Sequence, residues 1–189
     1  TSGKNEDSGI SLTVEWELDA FTLTSITSYR SYEVHAKNDA DYTDLEAIAF
    51  ESFTDKSTWT QELRFSDERE KFSYVAGLYY FNQDIEEVDT WAFGDDANGF
   101  YSHSFFYYPD GKIPLEDIPL LPLPPLPFFA SNTGTKVDME QDQKAYAIFG
   151  QIDYYLTDTL TLTAGLRHTR EEKDMSIVFT EGSAPDFSD

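Results

Sequence analysis

The sequence predicts an all-β chain, an antiparallel meander of about six long strands joined alternately by short turns and long loops. Three observations support this prediction. Apolar and polar side chains alternate with a period of two, as they do when successive residues point to opposite faces of a sheet. Several of these runs exceed the roughly five or six residues of an ordinary strand. Irregular acidic or proline-rich segments follow every second run.

The first two strands are predicted near 10–18 and 21–33. In the first, Ile10, Leu12, Val14, Trp16 and Leu18 alternate with Ser and Glu residues that occupy the other face. A tight turn at 19–20 leads into the second, which is rich in the Thr, Tyr and β-branched residues that suit a pleated surface. Residues 34–57 then lose the alternation and become acidic, so we predict a long loop there.

The third and fourth strands are predicted near 58–66 and 72–88, on either side of the polar turn 67–71. A second long loop is predicted over 90–140, which is far longer than an ordinary connection. Its proline-rich stretch IPLLPLPPLPFF disfavours sheet pairing, because proline lacks the backbone N–H.

The last two strands, near 142–156 and 159–179, form the clearest hairpin, with a turn at 157–158. Both exceed the roughly 9–11 residues that a tilted membrane strand needs. Residues 1–189 are therefore predicted to be a single segment of a barrel wall. The strict alternation of short and long connections is typical of bacterial outer-membrane barrels, which have short periplasmic turns and long outer loops. We expect the apolar face to meet outer-membrane lipid and the polar face, including the pair Glu62 and Arg64, to line the lumen.

Four stretches in order, LTSITSYRSYE, TQELRFS, YVAGLYYF and LTLTAGLRHTREEK, resemble the barrel of TonB-dependent receptors. The resemblance implies a 22-stranded transmembrane barrel closed by a plug domain, of which this chain is an internal fragment. It also implies uptake of a siderophore or similar small nutrient, with TonB and the plug as partners through other parts of the polypeptide.

Composition and motifs exclude several other classes. The net charge of -23 disfavours nucleic acid as a partner, because phosphate binding needs clustered Lys and Arg. Without cysteine, neither a disulfide nor a Cys-based metal site can form. No HExxH, GxSxG or glycine-rich phosphate loop is present, so we predict that the chain is not an enzyme.

Two groups of residues are candidates for binding. An aromatic run in the second long loop is predicted to contact a ligand by stacking or, equally, to pack loop against loop: Phe100, Tyr101, Phe105, Phe106, Tyr107 and Tyr108. In the first long loop, four carboxylates suggest calcium as the one candidate cofactor: Asp39, Asp41, Asp44 and Glu46. The spacing lacks the glycine and final glutamate of an EF-hand, so a solvated acidic loop is the favoured interpretation.

Two alternative functions remain at this stage. A released fragment with open strand edges could self-associate into a stacked cross-β, amyloid-like filament, which would place it outside the cell instead of in the outer membrane. A secreted carbohydrate-binding β-sandwich would share the alternation, although its strands are shorter and its connections do not alternate in length.

Overall fold

The computed structural model describes residues 2–42, 44–97 and 132–183. They form one six-stranded antiparallel sheet in which the strands pair in chain order. The strands are β1 (Ser2–Glu17), β2 (Thr22–Asp39), β3 (Ile48–Glu68), β4 (Phe72–Phe93), β5 (Thr133–Thr157) and β6 (Leu160–Ser183). The predicted all-β meander of six strands is therefore confirmed. Within the described ranges, no helix combines the length and the hydropathy needed to cross a membrane.

The connections alternate in length as the sequence predicts. The short ones close by backbone hydrogen bonds: the Leu18 amide donates to the Phe21 carbonyl (3.0 Å), and the Arg69 amide donates to the Phe72 carbonyl (2.7 Å). Because consecutive strands are antiparallel, all short connections lie at one end of the sheet. The strand ends that the longer connections 40–47 and 94–132 join lie at the other end, which we call the outer edge.

The strands extend well beyond their predicted bounds, so the two predicted loops 34–57 and 90–140 were drawn too wide. β2 continues to Asp39 and β3 begins at Ile48, while β4 runs to Phe93 and β5 starts at Thr133. Likewise, β1 begins at Ser2, eight residues before the predicted start. Alternation fails here because the side chains no longer divide into an apolar and a polar face: both faces are polar at 2–9, and both are apolar at 48–50 and 91–93. The backbone ladder continues without interruption.

One face of the sheet carries two aromatic belts separated by an apolar band, and we call it the outward face. The upper aromatic belt, which is the one nearer the outer edge, consists of Tyr29, Trp59, Tyr80 and Tyr146. The register between the strands places these residues side by side. Its rings are in contact, with centroids 5.3 Å apart for Trp59–Tyr80 and 5.0 Å apart for Tyr80–Tyr146. The lower belt consists of Trp16, Phe65, Tyr74 and Tyr154. On β4 the belts are six residues apart, roughly 20 Å at about 3.4 Å per residue.

The band between the belts is largely aliphatic, with exposed Leu12, Val14, Leu78, Ile148, Ile152 and Leu166. It also contains one polar cluster. Gln61 accepts a hydrogen bond from the Thr27 hydroxyl (2.5 Å) and donates to the Ser25 hydroxyl (3.0 Å). These side chains satisfy one another, which lowers the cost of removing them from water.

The sheet is a single layer in the part of the chain that the structure describes. Its buried side chains are small: Ala47, Ala92, Ala97, Ala147 and Thr24. A sheet without a packed core must be stabilised by backbone hydrogen bonds, by cross-strand side-chain pairs and by what covers its two faces.

On the other face, which we call the inner face, Gly77 leaves room for an aromatic ring. A Cβ at this position would lie 2.5 Å from Cζ of Phe149 and 2.6 Å from the Leu63 carbonyl oxygen. Gly165 on β6 is less crowded, since an added Cβ would lie 3.5 Å from its nearest neighbour, the Gly150 carbonyl oxygen. The Phe149 ring therefore depends on the absence of a side chain at Gly77.

We predict that Gly77→Ala destabilises the full-length protein, because either the Phe149 ring or the β3–β4 ladder must move. The expected loss is about 1–3 kcal/mol, typical of overpacking. Thermal unfolding in detergent measures it, and Gly165→Ala is the matched control that should change the midpoint little. Equal losses in both variants would show that glycine flexibility, and not the Phe149 contact, matters at these positions.

Candidate functional site

Three surfaces of the sheet carry chemistry: the outer-edge connections, the inner face at mid-height, and the outward face above the upper aromatic belt. At the outer edge, 40–47 packs against 94–97. The Gly94 amide donates to the Ala47 carbonyl (3.1 Å), and the Asp96 amide donates to the Glu46 carbonyl (3.1 Å). A Cβ at Gly94 would lie 2.2 Å from the Glu46 carbonyl oxygen, so glycine is required for this close approach.

The four candidate calcium ligands lie at this outer edge. Two of their carboxylates accept backbone hydrogen bonds: Asp39 from the Asp41 amide (3.2 Å), and Asp41 from the Ile48 amide (2.8 Å). The Glu46 amide donates to the carboxylate of Asp96 (3.1 Å). Across the described ranges, no three Asp, Glu or His side chains converge as a metal ion would require. Calcium binding at Asp39, Asp41, Asp44 and Glu46 thus stays a prediction.

The predicted aromatic contacts, Phe100, Tyr101, Phe105, Phe106, Tyr107 and Tyr108, lie outside the described residues. They belong to 94–132, the connection whose two ends leave and re-enter the sheet at the outer edge. The Asn132 amide donates to the Phe93 carbonyl (2.7 Å) and its side chain donates to Asp95 (2.7 Å), which fixes the point of return. Their role as ligand contacts stays a prediction.

The inner face holds an arginine between two aromatic rings. The Arg167 guanidinium carbon lies 5.6 Å from the ring centroid of Tyr79 and 5.7 Å from that of Phe149. Its Nε donates to the Thr169 hydroxyl (3.2 Å). Cation–π contacts of this kind favour a fixed orientation and stabilise the charge. The remaining guanidinium N–H groups can bind an anionic group.

A second arginine occupies the same row of the inner face. Arg64, Gly77, Phe149 and Arg167 lie opposite one another across β3 to β6. The predicted pair is present, because the Arg64 Nε donates to the Glu62 carboxylate on the same strand. This row thus presents two arginines to whatever fills the space on the inner side of the sheet.

Above the upper aromatic belt, the outward face is strongly acidic. One row consists of carboxylates directly opposite each other on five strands: Glu6, Glu33, Asp55, Glu86 and Glu140. A neighbouring row places Asp84, Asp142 and Asp174 opposite one another on β4, β5 and β6. Such like-charge pairs are destabilising unless protons or cations offset them.

The Asp84 carboxyl shows the effect of this crowding. A hydrogen bond shared with Asp142 raises the pKa of Asp84 above its ordinary value, and slight desolvation of this exposed carboxyl and the charge of Asp142 act in the same direction. A hydrogen bond from Asn82 and the charge of Lys144 oppose the shift. Because its folded-state pKa is raised, Asp84 binds a proton more readily in the folded protein than in the unfolded chain.

Comparison with known protein families decides between the remaining fold assignments. The family described as TonB dependent receptor-like, beta-barrel matches residues 1–186. The chain belongs to this TonB-dependent receptor family. The sequence-based assignment is therefore confirmed. That the inner face lines the lumen and the outward face meets lipid stays a prediction. No curated protein sequence matches the chain significantly.

A solved receptor structure agrees in fold. The ferric yersiniabactin uptake receptor FyuA from Yersinia pestis is similar to this chain with a TM-score of 0.64 at 11% identity. The similarity covers 97% of this chain and 24% of FyuA, so the chain spans about a quarter of that receptor. The siderophore receptor PiuA from Acinetobacter baumannii also matches, at 11% identity over 94% of this chain and 30% of PiuA, with a TM-score of 0.42.

Sequence reasoning missed the aromatic partners of Arg167. Tyr79 reaches it only through the register between β4 and β5, and the 94–132 connection hides that register from the sequence. Phe149 stands directly opposite Arg167 within the β5–β6 hairpin, so this contact could have been found by counting back from the short turn. Gly77 was the available signal, since an isolated glycine within a strand pattern often marks a close approach by a neighbouring group. The same hidden register brings Asp84 and Glu86 of the outward acidic rows opposite Asp142 and Glu140.

We predict that Asp84→Asn stabilises the full-length protein near neutral pH in EDTA, by about 0.2–1 kcal/mol, because it removes a like-charge contact. Since the raised pKa of Asp84 means that stability is lost as pH rises from the ordinary to the raised value, the advantage should shrink on acidification. Unfolding midpoints from about pH 7 to about pH 3 measure it.

Asp138→Asn is the matched control for Asp84→Asn. Asp138 lies on the same face but pairs with Lys136 (2.6 Å), so its removal should bring no gain at any pH. If the Asp84→Asn variant is only as stable as wild type at neutral pH, the like-charge contact between Asp84 and Asp142 does not destabilise the protein.

Proposed function

We propose that the chain forms part of the wall of an outer-membrane receptor that takes up a siderophore or a similar small nutrient. The observation that carries the proposal is the family match over residues 1–186. In support, one solved structure of similar fold, FyuA, is the ferric yersiniabactin uptake receptor of Yersinia pestis. The structural similarity supports the fold alone, because the two sequences are only 11% identical. Which small ligand of that kind this protein takes up is left open.

The roles of the surfaces follow from their positions in the proposed receptor. The outer-edge connections meet the ligand first, and the lumenal arginines Arg64 and Arg167 contact the plug that fills the barrel. Binding of TonB and the plug involves parts of a receptor beyond this segment. A closed barrel also pairs the outer strands β1 and β6 with further strands. The number of 22 strands stays a prediction.

The two alternative functions have no specific support. A carbohydrate-binding sandwich needs a second sheet packed on the first, whereas the described residues form a single layer. A filament built on open strand edges stays a prediction, because adjoining barrel strands satisfy the same edges.

The proposal is tested by uptake of a panel of radiolabelled ferric siderophores in cells that express the full-length protein, with and without a functional TonB. We expect TonB-dependent accumulation of at least one member of the panel. Replacing the six loop aromatics at 100–108 by alanine should weaken binding by about tenfold or more, because several stacking contacts are lost.

Trp16→Ala is the control, since Trp16 is an exposed aromatic side chain (62% of its surface) at the opposite end of the sheet from the outer edge. It should leave binding unchanged. The loop-contact role fails if both variants bind equally well. The uptake proposal fails if no panel member, and no other small iron or nutrient chelate, accumulates in a TonB-dependent manner.

A further inference from the structure

The part of the inner face nearest the outer edge is apolar and aromatic, and we call it the upper inner face. It comprises the inner-face residues beyond the row in which Lys56, Ile85 and Gln141 stand opposite one another. Its apolar side chains include Phe50, Trp91, Val137, Met139, Ile177 and Phe179. Several are exposed, with 40% of the Trp91 surface and 70% of the Phe179 surface accessible. Contiguous exposed apolar surface of this kind commonly marks a binding site.

The charges on the upper inner face are of one sign among the residues that the structure describes. Its charged side chains are Glu87, Asp89 and Glu181. The basic side chains at the same height stand on the outward face instead: Lys4, His35, Lys37 and Lys136. A surface lined by one sign of charge raises the local concentration of ligands of the opposite sign. The upper inner face therefore favours a cationic ligand.

One carboxylate of this surface has an oxygen without a hydrogen-bond donor. Oδ1 of Asp89 is buried, and none of the described residues donates to it. Across the sheet, the neighbours of Asp89 are Ser52 on β3 and the apolar Val137 on β5. A buried carboxylate oxygen that lacks a partner carries the cost of its desolvation. A cation beside the carboxylate offsets part of that cost by charge attraction.

Two aromatic rings adjoin Asp89 on the same face. Trp91 lies two residues further along β4, about 7 Å away at roughly 3.4 Å per residue, and Phe50 stands opposite Trp91 on β3. The two ring centroids are 4.5 Å apart, and the ring planes are inclined by 44°. The negative faces of aromatic rings attract cations, and tryptophan does so most strongly. The carboxylate and the rings therefore favour the same class of ligand.

These groups suit an organic cation better than a metal ion. Calcium takes several oxygen ligands, and across the ranges 2–42, 44–97 and 132–183 no three Asp, Glu or His side chains converge on one point. Aromatic and aliphatic side chains supply no oxygen ligand, whereas they can pack against the methyl or methylene groups of an alkylammonium ion. Aromatic rings with a nearby negative charge are the usual means by which proteins recognise quaternary ammonium groups.

We propose that the upper inner face binds an organic ammonium group, held between the Asp89 carboxylate and the rings of Trp91 and Phe50. The apolar side chains of β5 and β6 contact the hydrocarbon part of the ligand. An anionic ligand fits poorly, because it would meet carboxylates without a basic side chain to offset them. The inference deepens the proposed function and rests on it in one respect, since the inner face must be open to a ligand from outside the cell.

Saturation-transfer NMR of the full-length protein in a maltoside detergent, which carries no ammonium group, tests the proposal. The probes are choline and its uncharged analogue, in which carbon replaces nitrogen, so that the two differ in charge and hardly in shape. We expect saturable choline binding that is about tenfold or more tighter than binding of the uncharged analogue. Because the measurement needs no TonB, absence of choline binding would overturn this inference and leave the uptake proposal to its own test.

Two matched pairs of variants locate the site. Asp89→Asn should weaken choline binding about tenfold, whereas Asp138→Asn should not, because Asp138 is a carboxylate at the same height on the outward face. Trp91→Leu should weaken binding about fivefold, and Trp91→Phe, which keeps a ring, should restore most of the affinity. Phe53→Leu removes an aromatic ring at the same height on the outward face and should leave binding unchanged.

The heat-induced unfolding of each variant shows whether it is folded before its affinity is compared with that of wild type. Equal binding of choline and the uncharged analogue would overturn the proposal and indicate an apolar surface without charge recognition. Equal losses in the site and control variants would overturn it as well. Displacement of choline by an equimolar amount of Ca²⁺ would assign the Asp89 carboxylate to a metal ion and contradict the preference for an organic cation.

Discussion

Backbone hydrogen bonding between neighbouring strands is the interaction on which the rest of this structure depends. In hydrocarbon, an unpaired N–H or C=O group has no water to bind, so a spanning sheet must pair every strand with the next. The six strands do so in chain order, with ladders that continue past the apolar band toward the outer edge. Since the single layer buries few side chains, these ladders and their cross-strand pairs replace the packed core of a globular domain.

The part of the fold that meets the membrane could be predicted from the sequence, because there the two faces have different solvents. Leu12, Val14 and Trp16 alternate with polar residues for that reason, and β1 was found through them. Its first residues, Ser2 to Gly9, carry no alternation, because polar side chains stand on both faces. The ladder persists there through pairs such as Lys4 with His35, which periodicity cannot detect. Strand existence was therefore predictable, and strand length was not.

The candidate sites also differ in how far they could be predicted from the sequence. The Glu62–Arg64 pair was predictable because its members stand two residues apart on one strand, and the register between strands is not needed to place them together. The two aromatic rings beside Arg167 and the outward acidic rows join residues from several strands. Pairs within one hairpin, such as Phe149 with Arg167, follow from the short turn. The contacts between β4 and β5, such as Asp84 with Asp142, require a register that follows residues 94–132 and cannot be counted across from the sequence alone.

The height of each charge explains how a chain of net charge -23 can line a membrane barrel. On the outward face between the aromatic belts, His168 is the one titratable side chain among the residues that the structure describes, and the carboxylates stand above the upper belt. There, rows of Asp and Glu stand directly opposite one another on adjacent strands. Like charges at such positions repel each other, and water and dissolved ions screen that repulsion far better than hydrocarbon does. The chain therefore concentrates its negative charge beyond the apolar band, where the cost of placing carboxylates side by side is smallest.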